Sequence, residues 1–287
     1  GVGAVFPVTT VPRWVRGTGL ALASAAGVLL HRPELTQALP VIATPPLYFP
    51  TSAALLSGRV TIDGQPLAGA TDLDAITRSV AEGLRRGAGA FLEPGGEPAE
   101  VLPPRLRGGA AAHAAGRVPL TAALHHAIGG VAIDTWGRTS VTGLYACGEA
   151  AGGVQGRRRT MGTGLLEAYV FGRRAALAAI RDLERRGPAP TGGEVVIPPT
   201  PSDAPGLEDL LDRLLGPLTV LRPAEEVSAA ASAIRAWPIA VDSGVDERGA
   251  MAGIRRSAAL AVLASETEPH PGPKVVGLHG AGPAPGA

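Results

Sequence analysis

Reactive and bulky side chains are scarce in this chain. A single cysteine, Cys147, stands among 287 residues. That excludes an intrachain disulfide and any thiolate metal cluster, and it fits a reducing compartment. Aromatic residues make up only 3 %, so the core must be built from Ala, Val, Leu and Ile. Lys and Arg number 26 against 25 Asp and Glu, which excludes the one-signed field of a nucleic-acid or anionic-membrane binder. The longest apolar stretch, about Thr18–Leu30, is too short to span a bilayer. Arg13 and Arg16 ahead of it give it a superficial likeness to a signal peptide. His31, His113, His270 and His279 are scattered without metal-ligand spacing.

What the chain has in quantity is Gly (40) and Pro (27), and these punctuate it. A helix is expected from about Thr18 to Leu30. Residues 32–70 read as irregular and strand-like, because Pro33, Pro40, Pro45, Pro46 and Pro50 forbid a long helix. Residues 71–86 read as a helix, with Leu73, Ile76, Val80 and Leu84 at helical spacing and Thr71 with Asp74 resembling a capping box. Residues 93–119 read as a loop. Val131 and Ile133 alternate as in a strand, Asp134 to Ser140 make a turn, and Leu144–Cys147 reads as a short strand that buries Cys147. A Gly-rich loop then feeds a helix from Leu165 to Leu183. Further helices are expected near 206–215, 223–236 and 246–266.

Residues 125–172 read HHAIGGVAIDTWGRTSVTGLYACGEAAGGVQGRRRTMGTGLLEAYVFG. A strand ending in Gly-Glu and feeding a Gly-rich loop onto a helix N-terminus can hold an anionic or electron-rich ligand, because free amides and the helix dipole point at it. This string resembles the C-terminal part of the flavin domain in the family of L-aspartate oxidase, succinate dehydrogenase and fumarate reductase flavoproteins. The resemblance rests on His125, Gly129-Gly130-Val131, the Asp134, Gly137-Arg138-Thr139 hairpin, Gly143 to Ala146, Gly148-Glu149, Gly156, Arg159 and Leu165 to Ala168. Residues 1–27 and the helical tail around 258–268 resemble the same family, the tail favouring the L-aspartate oxidase branch.

The resemblance implies an α/β fold: part of a doubly wound, Rossmann-like flavin domain with an inserted cap domain and a C-terminal helical domain. The expected divisions are 1–31 (flavin segment), 32–120 (shortened cap), 121–185 (flavin domain), 186–205 (linker), 206–268 (helical domain) and 269–287 (tail). It implies FAD as cofactor, with contacts from Glu149, Gly148, Gly164, Leu165 and Leu166. It implies a small dicarboxylate substrate clamped by Arg159 and His125. The implied activity is cytoplasmic oxidation of L-aspartate to iminoaspartate, which feeds NAD biosynthesis, with no nucleic-acid or membrane partner.

The chain also departs from the family. It contains no G-x-G-x-x-G, the usual pyrophosphate cradle, so the expectation is either a separate N-terminal flavin-binding segment as partner or a gene fragment. Leu39 stands in the place of a family His. Ser52 to Leu56 lacks the charges of a family Ser-Glu-Ala-Leu-Arg stretch, and Leu73 stands in the place of a proton-transferring Arg. Gln155 replaces a His, Thr163-Gly164 replaces Asn-Ser, and Thr18 replaces an Asp. Arg78, Arg85 and Arg86 are the candidate substitutes in the cap. These losses open two other readings: a non-catalytic remnant or binding subunit of the fold, or a related flavoprotein acting on another carboxylate.

Overall fold

A computed structural model describes residues 1–43, 49–50, 52–70, 72–94, 117–156, 159–188, 197, 206–237 and 247–267. Seven helices can be named: α1 (Thr18–Ala25), α2 (Ser52–Leu56), α3 (Leu73–Arg85), α4 (Gly164–Arg186), α5 (Leu207–Leu215), α6 (Ala224–Ala236) and α7 (Glu247–Thr267). The strands are β1 (Leu30–His31), β2 (Thr36–Ile42), β3 (Val60–Ile62), β4 (Gln65–Pro66), β5 (Ala90–Leu92), β6 (Val118–Ala127), β7 (Gly130–Ala132) and β8 (Ala151–Gly152). They form a three-stranded sheet, β1-β7-β8, and a five-stranded sheet, β2-β6-β5-β3-β4. The only parallel pair among the described strands is β7 with β8.

The helix expected over Thr18–Leu30 stops early. Gly27 adopts φ +68 and the Val28 amide donates to the Ala23 carbonyl, the left-handed stop at which glycine carries no Cβ penalty. The apolar run continues as β1. Helix α3 is capped by Asp72, whose carboxylate accepts from the Ala75 amide at 2.8 Å; Thr71, expected in a capping box, lies outside the described residues. Ile76 and Val80 are buried along α3, whereas Leu84 is exposed. Gly83 takes its place, since a Cβ there would lie 2.8 Å from Ile62.

The expected loop over 93–119 is corrected at its end, where β6 begins, and the boundary at 120/121 falls inside this strand. β6 pairs with β2 along its length and with β5 at its start, so residues on both sides of that expected boundary share one sheet. Pro40 is tolerated in β2 because that strand is an edge of the sheet. Leu144–Cys147 is also corrected. It makes only an isolated bridge, Arg138 with Tyr145. Leu144 and Cys147 are exposed, since no described strand lies along them. Most of the 186–205 linker and all of the 269–287 tail lie outside the described residues.

Two larger cores result. One joins Phe6, Leu20 and Leu124 to Leu207, Leu211 and Leu215 of α5 and to α6 and α7. The other packs Ile76 and Val80 of α3 on Val60, Leu92 and Leu120 of the five-stranded sheet. Arg222 fastens the helical end to β2. It donates to the Glu34 carbonyl at 2.7 Å, the Thr36 hydroxyl at 2.9 Å and Glu266 at 3.0 Å. Arg255 does the same between α7 and α5 through Glu208 and Asp212, and its Nε donates to the Val5 carbonyl at 3.0 Å.

Candidate functional site

The site is built where β6 loses register. Gln37 of β2 pairs with His126, but its neighbour Ala38 pairs with Leu124. His125 is therefore the extra residue of a β-bulge. Bulges re-aim side chains, and this one presents two adjacent histidines, ring centroids 6.5 Å apart, at the end of a strand. The His125 Nδ1 lies 3.0 Å from the Thr10 hydroxyl, and its ring packs edge-on against Phe49 at 4.8 Å. His126 is buried, with Nδ1 3.4 Å from Glu149.

Glu149 follows the turn at Gly148, which takes φ +62, and its Oε1 accepts from the Ala127 amide at 3.0 Å. Arg159 arrives from the Gly-rich loop and is 8 % exposed. Its Nη1 donates to Gln37 Oε1 at 2.8 Å, while Gln37 Nε2 donates back to the Arg159 carbonyl at 3.0 Å. Its Nε is buried and has no hydrogen-bond partner. A Cβ on Gly164 would lie 3.0 Å from Arg159 Nη2 and 3.3 Å from His126 Cε1. The first residue of α4 is therefore the floor on which guanidinium and imidazole meet.

Gln155 and Glu167 complete the surround. Gln155 Nε2 donates to Glu167 at 2.7 Å, and Gln155 Oε1 accepts from the Thr163 hydroxyl at 3.2 Å. Thr163 thus occupies the N-cap place of α4 without capping it, and Glu167 serves the loop instead of a capping box. The α4 amides at Gly164, Leu165 and Leu166 keep their dipole facing outward. Leu165 and Leu166 are 86 % and 65 % exposed.

Burial dominates the electrostatics. It pushes His125 below the ordinary imidazole value, helped by the Arg159 charge. Burial pushes His126 down to about 4 against the opposing pull of Glu149. Both imidazoles are consequently neutral at pH 7, and the His126–Glu149 contact joins a neutral ring to a carboxylate. Burial also raises Glu167. Outside the site, Asp182 is held down to about 2 by hydrogen bonds from Arg138 and Tyr145; this cluster ties the Gly-Arg-Thr hairpin to α4.

Of the residues expected from the sequence, Arg159, His125, Glu149, Gly148 and Gly164 come together in one place. Gln37, Thr10, Gln155 and Glu167 join them without having been marked as site residues by the sequence. The cap positions stay apart from this cluster: Leu39 is buried in the sheet and Leu73 packs on the cap core. Arg78, Arg85 and Arg86 are exposed, with Arg85 paired to Glu226. Ala53 lies outside the described side chains. No group of three metal-ligating side chains occurs among the described residues, and no described helix is long and apolar enough to cross a membrane.

A bulge carrying paired histidines, a buried arginine and a Gly-rich entry to a helix thus meet in one place. Residues 69–165 match the family model of an FAD binding domain. The chain is 36 % identical over 208 residues to the L-aspartate oxidase of Caulobacter vibrioides, covering 66 % of this chain and 41 % of that protein. It is 29 % identical over 255 residues to the enzyme of Xylella fastidiosa, covering 82 % and 48 %. It is 31 % identical over 209 residues to one subunit of the fumarate reductase (CoM/CoB) of Methanothermobacter marburgensis, covering 63 % and 38 %. The fold matches the Mycobacterium smegmatis Sdh1 complex with a TM-score of 0.66 at 22 % identity, over 93 % of this chain and 51 % of that one. It also matches a quinol-fumarate reductase at 0.64 and 18 %, over 93 % and 56 %. Over part of its length the chain is thus similar to L-aspartate oxidases and to a fumarate reductase subunit, and it carries a match to an FAD binding domain. It spans less than half the length of the L-aspartate oxidases just named.

The described residues fit part of FAD. Glu149, in the short turn that precedes β8, would suit a hydroxyl-bearing chain, and the α4 amides would suit an electron-rich ring edge. The cavity lined by Gly1, Val2, Leu20, Gly129, Gly130, Glu149 and Ala150 encloses about 10 Å³, room for about one water molecule.

Proposed function

We propose that this chain forms the carboxylate-binding half of an L-aspartate oxidase-type flavoprotein site, oxidising L-aspartate to iminoaspartate in the cytoplasm for NAD biosynthesis. The observation that carries this reading is Arg159: a guanidinium 8 % exposed whose Nε has no partner. Leaving such a group unpaired is costly, and a planar carboxylate satisfies it in bidentate fashion. His125 supplies a second hydrogen bond. When the Thr10 hydroxyl donates to Nδ1, the neutral ring carries its proton on Nε2, the form that donates to a carboxylate. Both groups bind and orient; neither moves a proton in this scheme.

FAD, when bound, supplies the acceptor for the hydride that leaves the amino-acid Cα. In this chain Glu149, Gly148, Gly164, Leu165 and Leu166 would hold it. The exposed apolar residues Leu165, Leu166 and Tyr169 on α4 are the surface against which the rest of a flavin-binding unit would pack. That unit is either another part of a longer chain or a separate segment.

A second reading is favoured by Leu39 and Leu73. Leu39 is 2 % exposed inside the sheet, Leu73 packs on the cap core, and neither side chain can transfer a proton. The cap arginines face solvent. On this reading the chain binds a dicarboxylate in the same clamp without turning it over. The test is a titration with succinate beside a peroxide assay with L-aspartate and FAD. Binding with turnover supports the first reading, binding without turnover the second, and absence of binding removes both.

A further inference from the structure

We propose that Gln37 is the positioning residue of this site: its amide clasps Arg159 at two points and so reserves the Nε–Nη2 edge of the guanidinium for the incoming carboxylate. This rests on the carboxylate reading of Arg159 but adds a residue to it.

Donor and acceptor matching fixes the amide. A glutamine side chain offers one acceptor oxygen and an NH₂ donor. Its oxygen lies 2.8 Å from Arg159 Nη1, and its nitrogen lies 3.0 Å from the Arg159 carbonyl. Turning the amide over would set NH₂ against a guanidinium and oxygen against a carbonyl, so only one orientation works. The two bonds fix different parts of the same residue, the side-chain tip and the backbone beneath it. They join residues 122 apart in sequence, so the clasp also pins the Gly-rich loop to the edge of the five-stranded sheet.

The clasp decides which face of Arg159 is left. A guanidinium can take a carboxylate along either of two parallel-donor edges. Gln37 consumes Nη1, which belongs to one of them. The other edge keeps Nε, buried and unpartnered, and Nη2, lying over Gly164. Gln37 itself sits at the bulge, paired with His126 and one step from the point where register shifts. One strand irregularity therefore sets both the histidines and the arginine they face.

The experiment uses the full chain and two substitutions, Gln37→Met and Gln37→Glu. The first keeps the shape and removes both hydrogen bonds. The second keeps the acceptor for Nη1 and loses the donor to the carbonyl. The first readout is solvent exchange of the Arg159 Nε–H, followed by ¹⁵N NMR and assigned by its disappearance in Arg159→Lys. The second is the dissociation constant for succinate. In Gln37→Met, exchange is expected to rise at least about tenfold and succinate binding to weaken about 10- to 100-fold. In Gln37→Glu, exchange is expected to stay within about threefold of the original while succinate weakens, because a second carboxylate now faces the ligand. Wild-type exchange in Gln37→Met would overturn the proposal. If Gln37→Met does not fold, fast exchange in a folded Gln37→Glu would overturn it and slow exchange would support it. Absence of succinate binding by the unmodified chain would sink the carboxylate reading alone, since the exchange measurement judges the clasp without any ligand.

Discussion

The helical end of the molecule and the α4 region treat apolar and charged groups in opposite ways. At the helical end, Leu207, Leu211, Leu215, Val262 and Leu263 are shut away, and the buried guanidiniums of Arg222 and Arg255 are fully engaged. Along α4, Leu165, Leu166, Tyr169, Ile180 and Leu183 stand exposed, and the neighbouring Arg159 leaves a buried nitrogen unsatisfied. The first region is closed by its own side chains, with the Trp237 Nε1 as its one buried unpartnered donor among the described residues; the second leaves both apolar surface and a guanidinium nitrogen open.

Substitution should separate the two most sharply in the apolar residues. Leu211→Ala removes a fully buried side chain and should cost about 2–5 kcal/mol. Leu165→Ala, on the 86 % exposed side, should stay within about 0.5 kcal/mol. Denaturant unfolding of both variants checks the pair; equal losses would erase the distinction.

Acid should reveal a smaller effect in the site. An unfolded histidine titrates near 6.5, and His126 is held down to about 4 in the fold. Between those values the unfolded chain binds more protons, so this group's contribution is complete above pH 6.5 and is lost as pH falls towards 4. At about 1.4 kcal/mol per pKa unit the loss is about 3 kcal/mol at most. Unfolding midpoints at pH 7 and pH 4.5 should diverge more in the original chain than in His126→Asn. A smaller effect again belongs to the cap, where Asp72→Ala should cost about 1 kcal/mol by removing the α3 cap.

The same contrast governs what the sequence makes legible. Helices α3, α4, α5, α6 and α7 are readable because apolar spacing and Gly or Pro punctuation agree with their packing. Strand β6 is not, because Pro119 and the alanines at Ala122, Ala123 and Ala127 blunt its β signal and its register is set by β2, far away in sequence. Exposure of Cys147 is equally hidden, since an apolar tetrapeptide reads as buried until its neighbours are known. His125 and Arg159 are found only through the family pattern; no local propensity marks them. Gln37 escapes because a glutamine in a strand reads as a solvated side chain, and its partner lies on a loop more than a hundred residues away.

The proposed carboxylate site depends on the unsatisfied edge of Arg159. Isothermal titration of the chain with succinate, beside Arg159→Met and the exposed-arginine control Arg78→Met, tests that dependence. Saturable binding is expected in the original chain and in Arg78→Met, with a loss of at least about a hundredfold in Arg159→Met. Binding that survives in Arg159→Met, or that is absent throughout, would contradict it.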